Sequence, residues 1–383
     1  MKRELELYIH IPFCVKKCAY CDFLSAPADE ETCGRYVDAL VQEIETYRES
    51  QPDDCIVTTI FFGGGTPSIL TVEQMSRVMR VLSDVFTLAE DAEISIEANP
   101  GTVTREKLET YRQLGVNRIS FGLQSTDKEV LQILGRIHSY EEFVESYQLA
   151  RECGFDNINV DLMSAIPKQT IASWERDLAR VVALQPEHIS AYSLIIEDNT
   201  PFAQVYGEGA EGERELPTEE EERQIYRRTK EVLEAAGYHR YEISNYAKAG
   251  KECKHNLGYW ERKNYLGLGL GAASLLDNVR FKNTDSLSLY LEKAKQPKMM
   301  REDREELSMT EQMEETVFLG LRKMQGLAVS DIRKQYGRVF EIRYGENVKR
   351  MEAEGMVLVE DDYLKLSENG IDVSNYVFAE ILR

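Results

Sequence analysis

Short runs of apolar and β-branched residues recur about every 30 residues in the first half of the chain, and segments with helical spacing separate them. The predicted strands cover residues 5–11, 56–62, 93–98, 117–124, 157–163 and 188–196. The predicted helices between them cover residues 30–49, 72–86, 104–113, 140–152 and 171–184. Because strand–helix–strand repeats build parallel strands with helical crossovers, the pattern predicts an α/β fold. Six such units suggest an open or partial (β/α)6 barrel.

Polar and glycine-rich motifs follow these predicted strands. In a parallel barrel, the carboxyl ends of the strands meet on one face, and the chemistry collects there. The motifs are Cys14 to Cys21, Gly63 to Pro67, Glu97 to Pro100, Gln124-Ser125, Asp161, and Tyr192 to Glu197. Their shared position predicts one active or binding site at that face.

Three cysteines, Cys14, Cys18 and Cys21, form a C-x3-C-x2-C motif directly after the first predicted strand. Three thiolates this close in sequence need a loop that folds around a common centre, and thiolates suit zinc or iron–sulfur clusters. A closed zinc site requires four ligands, and the motif contains no fourth Cys or His. A four-iron cluster would leave one iron open to a substrate or cofactor. The alternatives are three unrelated cysteines or a partial zinc knuckle. The spacing, with Tyr20 before the third cysteine, resembles the radical S-adenosylmethionine (radical SAM) superfamily.

Composition narrows the possible partners and compartments. The 383 residues suffice for a large core and favour two domains, and the formal net charge is −21. This negative charge argues against nucleic acid as a partner and against anionic lipid as the main binding surface. No apolar run approaches the ~20 residues of a membrane span, and we expect no signal peptide before Cys14. The four scattered cysteines fit a reducing cytoplasm better than a disulfide framework.

The second half of the chain has a different pattern. Residues 198–222 are predicted as a loop and 219–236 as an amphipathic helix. Helices over 309–323, 335–355 and 371–382, with a hairpin at 356–366, predict a winged-helix-like module. This module contains more acidic than basic residues, so a structural or protein-contact role is favoured over DNA binding. We therefore expect domains over 1–200 (partial barrel), 201–302 (an α+β extension) and 303–383 (the winged-helix-like module).

A series of motifs runs in order over residues 8–274: YIHIPFC, GGGTPS, EANPGT, SFGLQS, GRIH, DLM-AIP, and HNLGYW with GLGLGA. The series resembles the HemN/HemW family of radical SAM proteins, which comprises oxygen-independent coproporphyrinogen III oxidases and their heme-chaperone relatives. The C-terminal segment is similar to the accessory domain of that family. The resemblance implies a [4Fe–4S] cluster held by Cys14, Cys18 and Cys21, with S-adenosylmethionine (SAM) chelated to its open iron.

The resemblance also implies which residues contact the cofactors. Those expected near the cluster and the methionine end of SAM are Tyr8, Tyr20, Gly64, Gly65 and Thr66. The remaining expected SAM contacts are Glu97, Gln124, Arg136 and Asp161. For Glu97 and Asp161, considered one at a time, the alternative is a capping group at a strand or helix end. For Gln124, the alternative is a buried amide that hydrogen-bonds to backbone groups.

Two features bear on the branch of the family. In this family, the catalytic oxidases carry the motif C-x3-C-x2-C-x-C and a long extension before it. In this chain, Phe23 stands at the position of the fourth cysteine. The motif from His255 to Trp260 matches HNxxYW of the heme chaperones, whose histidine is linked to heme binding. Imidazole is an axial ligand of heme iron. Cys253 is a rival ligand, and a core histidine packed among aromatics is the alternative. The role of His10 stays open. It lies near the substrate or cluster, or it makes hydrogen bonds that satisfy the end of the strand.

These features together predict a cytoplasmic heme chaperone that binds a [4Fe–4S] cluster, SAM and heme. It would pass heme to acceptor hemoproteins such as membrane respiratory enzymes, without a nucleic-acid partner or a transmembrane segment. The oligomeric state stays open between a monomer and a homodimer. The alternative is an enzyme of the same fold that decarboxylates coproporphyrinogen III to protoporphyrinogen IX. Radical-driven heme degradation or methyl transfer is a weaker third hypothesis.

Overall fold

The computed structural model describes residues 3–48 and 55–383. Its first half alternates strands and helices as the sequence predicts. The elements are β1 (Arg3–Ile11), α1 (Glu30–Glu45), β2 (Cys55–Gly64), α2 (Val72–Val85), β3 (Leu88–Ala98), α3 (Arg105–Gln113), β4 (Arg118–Gln124), α4 (Lys128–Ile133), α5 (Tyr140–Glu152), β5 (Ile158–Ser164), α6 (Ile171–Leu184) and β6 (His188–Ser193). The predicted end of the first helix, position 49, lies outside the described residues.

The middle of the chain adds short strands and helices to this frame. These elements are α7 (Pro201–Tyr206), α8 (Glu219–Ala235), β7 (His239–Arg240), β8 (Asn245–Ala247), α9 (Lys254–Trp260), β9 (Tyr265–Leu268), β10 (Ala273–Leu276), β11 (Val279–Asn283), α10 (Leu287–Lys293) and β12 (Arg301–Glu306). The loop predicted over 198–222 therefore contains a helix, α7, which begins at a proline and is capped by the Thr200 side chain.

The described strands of these two segments form one 12-stranded sheet in the order β12-β11-β10-β9-β1-β2-β3-β4-β5-β6-β8-β7. Strands β1 to β6 are parallel in sequence order, and β9 joins β1 in parallel. Strands β12 and β7 stand at opposite ends of the order, so the sheet is an open, partial barrel. The predicted fold class is confirmed. Strands from both sides of residue 200 belong to this sheet, and the predicted domain boundaries stay predictions.

The central strands have one apolar and one polar face. In β4, Ile119, Phe121 and Leu123 are fully buried in the main hydrophobic core, which the helices cover. The alternate residues Arg118 and Ser120 line a cavity on the other face. This follows from the strand period of two residues, which sends successive side chains to opposite faces. The concave interior of the barrel is consequently polar, although its walls are buried.

The C-terminal segment forms a smaller unit with its own core. Its elements are α11 (Met309–Gly320), β13 (Leu327–Ala328), α12 (Val329–Tyr336), α13 (Val339–Ala353), β14 (Val357–Glu360), β15 (Tyr363–Leu366), α14 (Glu368–Asp372) and α15 (Ser374–Ile381). The helices pack around a three-stranded sheet in the order β13-β15-β14, as in a winged helix. The helical stretch predicted over 335–355 is interrupted at Gly337, whose φ of 64° lies in the left-handed region. Among the described helices, none is long and apolar enough to cross a membrane.

A buried carboxylate on α1 connects this helix to the segment around β9 and β11. Glu43 is fully buried and accepts hydrogen bonds from the Tyr290 hydroxyl (2.6 Å), the Gly269 amide (2.9 Å) and the Asn283 side chain (2.7 Å). Burial raises the pKa of Glu43 to about 7. These bonds hold the first helix against the extension of the sheet.

Replacement of Glu43 by alanine should destabilise the protein by about 3 kcal/mol or more, because three buried donors lose their acceptor. Urea unfolding at neutral pH measures the change. The matched control is Glu45→Ala on the same helix, where the exposed carboxylate pairs with Arg48 and its loss should cost less than about 1 kcal/mol. Equal effects of the two substitutions would contradict the bridging role of Glu43.

Candidate cofactor site and barrel interior

The three motif cysteines lie on the loop that follows β1, at the carboxyl edge of the parallel strands. Cys14 is buried, Cys18 and Cys21 are half-buried, and all three are free thiols. Burial raises the pKa of the Cys14 and Cys21 thiols, and the neighbouring motif thiols raise it further. The three sulfurs therefore share one local environment, as the spacing predicts.

The glycine motif after β2 supports this cysteine loop. The Gly65 amide donates to the Ile11 carbonyl (2.8 Å) and the Thr66 amide to the Phe13 carbonyl (2.7 Å). A Cβ at Gly65 would overlap the backbone of Phe13, so only glycine permits this approach. Gly64 has a φ of 113°, which L side chains rarely adopt. Both glycines are thus required by the fold of the loop, independently of any cofactor.

His10 links the barrel interior to the same loop. Its Nδ1 is 3.0 Å from the Tyr8 hydroxyl, and its Nε2 is 2.9 Å from the Leu24 carbonyl oxygen. Burial lowers the pKa of His10, so the ring is neutral, with Nε2–H donating to Leu24 and Nδ1 accepting from Tyr8. His10 therefore joins the predicted site residue Tyr8 to the backbone of the cysteine loop through two hydrogen bonds.

Arg136 connects the cysteine loop to the ends of two neighbouring strands. Its guanidinium donates to Cys18 Sγ (3.5 Å) and to Asn99 Oδ1 (2.6 Å), and Asn99 in turn donates to Thr66 Oγ1 (2.7 Å). The Arg136 guanidinium thus gives one sulfur of the motif a hydrogen-bond donor behind it, as supporting residues do for metal ligands. The predicted residues Thr66 and Arg136 are brought together with Cys18. Asn99, which the sequence analysis did not single out as a contact, completes the connection.

Two acidic side chains, Glu97 and Asp161, face the barrel interior next to this edge. Burial, aided by the nearby Asp161 charge, raises the pKa of Glu97 to about 8, and its Oε2 accepts from the Gly64 amide at 3.1 Å. Burial also raises the pKa of Asp161, which accepts from Asn159 Nδ2 (2.7 Å) and Ser120 Oγ (3.2 Å). Two buried carboxyl groups with raised pKa values in one cavity suit a ligand with hydroxyl or ammonium donors.

The other two predicted contacts lie on the adjacent side of the barrel. Gln124 ends β4 with a positive φ of 72°, and its Oε1 accepts from the Tyr192 hydroxyl at 2.9 Å. Tyr20 packs edge-on against Phe202 of α7, with 6.3 Å between ring centroids. Burial raises the pKa of Tyr20, so its hydroxyl stays protonated. Helix α7, which the sequence analysis placed in a loop, therefore positions the aromatic residue between Cys18 and Cys21.

The donor set suits an iron–sulfur cluster better than a single ion. Within residues 3–48 and 55–383, no group of three or more His, Cys, Asp or Glu side chains is arranged to hold one metal ion. A cubane cluster requires a different geometry, because each protein thiolate binds its own iron. Three thiols on one loop, with a guanidinium beside the second, fit such a cluster.

A cavity of about 270 Å³ extends from this edge into the barrel. Its wall comes from six consecutive parallel strands and from α9; the lining residues are Tyr8, Phe23, Phe61, Gly64, Glu97, Arg118, Ser120, Asn159, Asp161, Ser190 and Asn256. Register explains why they meet, since Glu97 lies opposite Ser120, Gly122 opposite Asp161, and Asp161 opposite Ser190. Four predicted contacts line this cavity: Tyr8, Gly64, Glu97 and Asp161.

Helix α9, which carries the HNLGYW motif, closes the opposite end of the cavity. Glu93 of β3 accepts the amide N–H groups of Lys254 (3.1 Å) and His255 (3.3 Å) and the Cys253 thiol (3.5 Å). It thereby satisfies amide groups at the start of a helix whose own cap residue, Cys253, makes no side-chain capping bond. A Cβ at Gly258 would overlap the Glu6 carboxylate, so this glycine permits close packing of α9 on β1.

His255 lies inside the barrel with both ring nitrogens engaged. It is 1% exposed, its Nδ1 is 2.6 Å from Thr59 Oγ1, its Nε2 is 3.1 Å from the Tyr259 hydroxyl, and it stacks on Phe61. Burial and the nearby Arg118 charge lower the pKa of His255 to about 3. The ring is therefore neutral, and its 3.9 Å approach to Glu6 is not an ion pair. Cys253 is fully buried, and burial raises the pKa of its thiol to about 12.

The comparisons with known proteins agree with this geometry. The Radical SAM superfamily profile matches residues 8–181, and the HemN C-terminal domain profile matches residues 307–373. With the cysteine loop at the carboxyl edge of a parallel partial barrel, these matches define the chain as a radical SAM superfamily protein. It belongs to the HemN/HemW family of that superfamily. Membership of the superfamily implies a [4Fe–4S] cluster and SAM.

Individual relatives support the same assignment. A protein of Bacillus subtilis (strain 168) named heme chaperone HemW is 37% identical over 98% of this chain and 98% of its own length. The heme chaperone HemW of Escherichia coli (strain K12) is 42% identical over 70% of this chain and 69% of its own. The solved structure of the Escherichia coli coproporphyrinogen III oxidase HemN, a radical SAM enzyme, is 26% identical, with a TM-score of 0.85 over 99% of this chain and 90% of that one.

The barrel interior generates a prediction on pH dependence. Glu6 of β1 is 1% exposed, neither carboxylate oxygen has a hydrogen-bond partner among the described residues, and burial raises its pKa to about 8 from 4.5. The native state therefore binds more protons than the unfolded state between pH 4.5 and 8. The contribution of Glu6 to stability must fall as the pH rises through this range.

Glu6→Gln removes this titration with little change in shape. We expect the variant to gain about 2–4 kcal/mol over the parent at pH 8, and much less at pH 5, in denaturant unfolding. Glu4→Gln, two positions earlier on the exposed part of β1, serves as the control and should show no such pH-dependent gain. A Glu6→Gln protein destabilised equally at both pH values would overturn this account of Glu6.

Proposed function

We propose that this protein is a heme chaperone that binds a [4Fe–4S] cluster, SAM and heme and delivers heme to acceptor hemoproteins. The observation that carries the proposal is the similarity, along 98% of both chains, to a relative named heme chaperone HemW. We further propose that it acts in the cytoplasm on acceptors that include membrane respiratory enzymes, without a nucleic-acid partner. A homodimer is part of the same proposal.

Phe23 supports the chaperone over the oxidase. It stands where the oxidase pattern has a fourth cysteine, and it lines the mouth of the barrel cavity with 70% of its surface exposed. Its carbonyl oxygen accepts from Lys17 Nζ at 3.0 Å, which fixes the loop next to the third cysteine. An exposed aromatic ring at this position offers apolar stacking surface to a planar ligand and no thiolate.

In the proposed site, Cys14, Cys18 and Cys21 hold three irons of the cluster. Arg136 donates a hydrogen bond to the Cys18 sulfur, and Gly64, Gly65 and Thr66 hold the loop in place. Glu97 and Asp161 bind the donors of SAM from the barrel wall, beside Tyr8, and Tyr20 and Gln124 bound the same region. A reduced cluster held by these three cysteines would supply an electron to the sulfonium of SAM.

Coordination of the heme iron is the part of the proposal that requires a change from the described conformation. In the described conformation a neutral His255 uses one ring nitrogen as donor and the other as acceptor, toward Thr59 and Tyr259. Iron coordination therefore requires one of these two bonds to break and α9 to shift. Cys253, the rival ligand, would have to leave its contact with Glu93.

Oxidative decarboxylation of coproporphyrinogen III is the second candidate function. The observation that favours it is the near full-length structural similarity to the Escherichia coli oxidase at 26% identity. The same residues would hold the cluster and SAM in both functions. Phe23 and the HNLGYW helix count against this candidate.

Hemin titration of the anaerobically reconstituted protein tests the proposal by absorption spectroscopy. We expect saturable binding of hemin, weakened about tenfold or more by His255→Ala, since the iron loses its axial ligand. The matched control is His239→Ala, because His239 is an exposed histidine that bonds to Glu252. Its substitution should leave hemin binding unchanged.

The other outcomes of the titration separate the parts of the proposal. Saturable binding that His255→Ala does not alter removes His255 as the ligand and directs the test to Cys253→Ser. A complete lack of saturable hemin binding by the parent protein would contradict the chaperone function itself.

A further inference from the structure

A chain of buried hydrogen bonds runs from the start of α9 to Asp161, one of the proposed SAM contacts. Its members are the Cys253 amide and the side chains of Tyr241, His188, Asn159 and Asp161. His188 is fully buried, and Asn159 and Tyr241 are buried as well. Polar groups inside a protein are costly unless they find partners, so each bond of such a network constrains the next one.

The strand register brings these side chains together. Asn159 and Asp161 are two residues apart on β5 and therefore point to the same face. His188 of β6 pairs directly with Asn159, and its Nδ1 is 2.6 Å from Asn159 Oδ1. Tyr241, between β7 and β8, reaches the other ring nitrogen, with 2.7 Å between its hydroxyl and His188 Nε2. The imidazole of His188 thus stands between Tyr241 and Asn159.

The direction of each bond follows from the carboxylate end of the chain. A carboxylate offers only acceptors, so the amide nitrogen of Asn159 must face Asp161, and it lies 2.7 Å from Asp161 Oδ1. The amide oxygen of Asn159 then faces His188. Because this oxygen only accepts, His188 must carry its proton on Nδ1.

The other ring nitrogen of His188 determines the role of Tyr241. Burial and the nearby Arg118 charge lower the pKa of His188, so the ring is neutral and its Nε2 is an acceptor. The Tyr241 hydroxyl therefore donates to Nε2, and its oxygen accepts from the Cys253 amide at 3.3 Å. Every bond of the chain consequently points from α9 toward Asp161.

The tautomer of His188 decides how the Asn159 amide is oriented. With the proton on Nε2, a bare Nδ1 would face the Asn159 oxygen, and the amide would have to turn over. Its oxygen would then lie against the Asp161 carboxylate, where two acceptors repel each other. Tyr241 prevents this exchange, because its hydroxyl needs Nε2 as an acceptor.

Asp161 keeps acceptor capacity for a ligand. Asn159 donates to its Oδ1 at 2.7 Å and Ser120 to its Oδ2 at 3.2 Å, whereas a carboxylate has about four lone-pair sites. Asp161 also lines the 270 Å³ cavity. The two donors on the barrel wall therefore fix the carboxylate with acceptor capacity on the side where SAM is proposed to bind.

We propose that His188 is a positioning residue of the SAM site, which acts through Asn159 on Asp161 and is itself set by Tyr241. The inference rests on the part of the proposed function that assigns Asp161 to SAM, and it does not depend on heme. The chain orients the carboxylate before SAM arrives, so that less of the binding free energy is lost to ordering it. His188 thus contributes to SAM affinity from behind the cavity wall.

Equilibrium dialysis of SAM against the cluster-loaded, unreduced protein tests this role. We expect Asp161→Asn to weaken SAM binding about tenfold or more, and Tyr241→Phe, which removes one hydroxyl, about threefold or more. In the Asp161→Asn background, Tyr241→Phe should have no further effect, because its influence passes through the carboxylate. The matched control is Tyr238→Phe. Its buried hydroxyl donates to the Pro186 carbonyl oxygen, and its loss should leave SAM binding unchanged.

Two further variants test His188 itself. His188→Gln offers one donor and one acceptor, as the neutral imidazole does, whereas His188→Leu offers neither. We expect the glutamine variant to retain more of the SAM affinity than the leucine variant. Melting temperatures of the ligand-free proteins show whether each variant folds. If His188→Leu does not fold, the Tyr241→Phe comparison in the two backgrounds decides.

The remaining results contradict the proposal or separate it from the proposed function. An equal loss of affinity from Tyr241→Phe in both backgrounds would show that its effect bypasses Asp161, and would overturn the role of His188. Unaltered SAM binding in Tyr241→Phe or in Asp161→Asn would overturn it too. A parent that binds SAM but no hemin would contradict the chaperone function and leave the SAM measurements to judge His188. A parent that binds no SAM would overturn this proposal, while the hemin titration would still decide the chaperone function.

Discussion

The two-residue period of the parallel strands is the constraint on which the other features of this molecule depend. It sends Ile119 and Phe121 to the helix-covered core and Arg118 and Ser120 to the concave interior. Since the neighbouring strands pair in parallel, polar residues of six strands line one cavity. A cavity with buried carboxyl groups, a buried guanidinium and neutral donors is the direct consequence.

A polar interior must be closed at one end and opened at the other. Helix α9 closes it, held by Glu93 at its start and by His255 between Thr59 and Tyr259. The cysteine loop borders the opening, held by the Gly65 and Thr66 amides and by His10. The raised pKa values of Glu6 and Glu97 have the same origin, because burial inside the barrel disfavours their charged forms.

The sequence predicted the barrel elements closely, since hydrophobic periodicity and turn residues act locally. The helices over 140–152 and 171–184 match α5 and α6 at both ends. The clustering of motifs at strand ends also brought Thr66 and Arg136 to the cysteine loop, as the shared edge of a parallel sheet requires. These predictions depend on patterns within one element or on a general rule of topology.

The features that the sequence analysis missed depend on contacts between distant parts of the chain. His255 and Thr59 are 196 positions apart, so no local pattern indicated that the HNLGYW segment is a helix inside the barrel. Asn99 joins Thr66 to Arg136 only after two strand ends have been placed side by side. The alternation of apolar and polar residues in NRISFGLQ was the signal that Arg118 faces the barrel interior. It puts this arginine on the same face of the strand as Ser120 and Gln124.

The most direct measurement of the central claim is the fate of tetrapyrroles offered to the cluster-loaded protein with SAM and a reductant under anaerobic conditions. Hemin and coproporphyrinogen III are supplied in parallel, an apo-hemoprotein is added as acceptor, and the tetrapyrroles are identified by mass. The account predicts that heme reaches the acceptor with unchanged mass and that coproporphyrinogen III is recovered intact. Conversion of coproporphyrinogen III to the two-vinyl product, with heme neither held nor transferred, would contradict it.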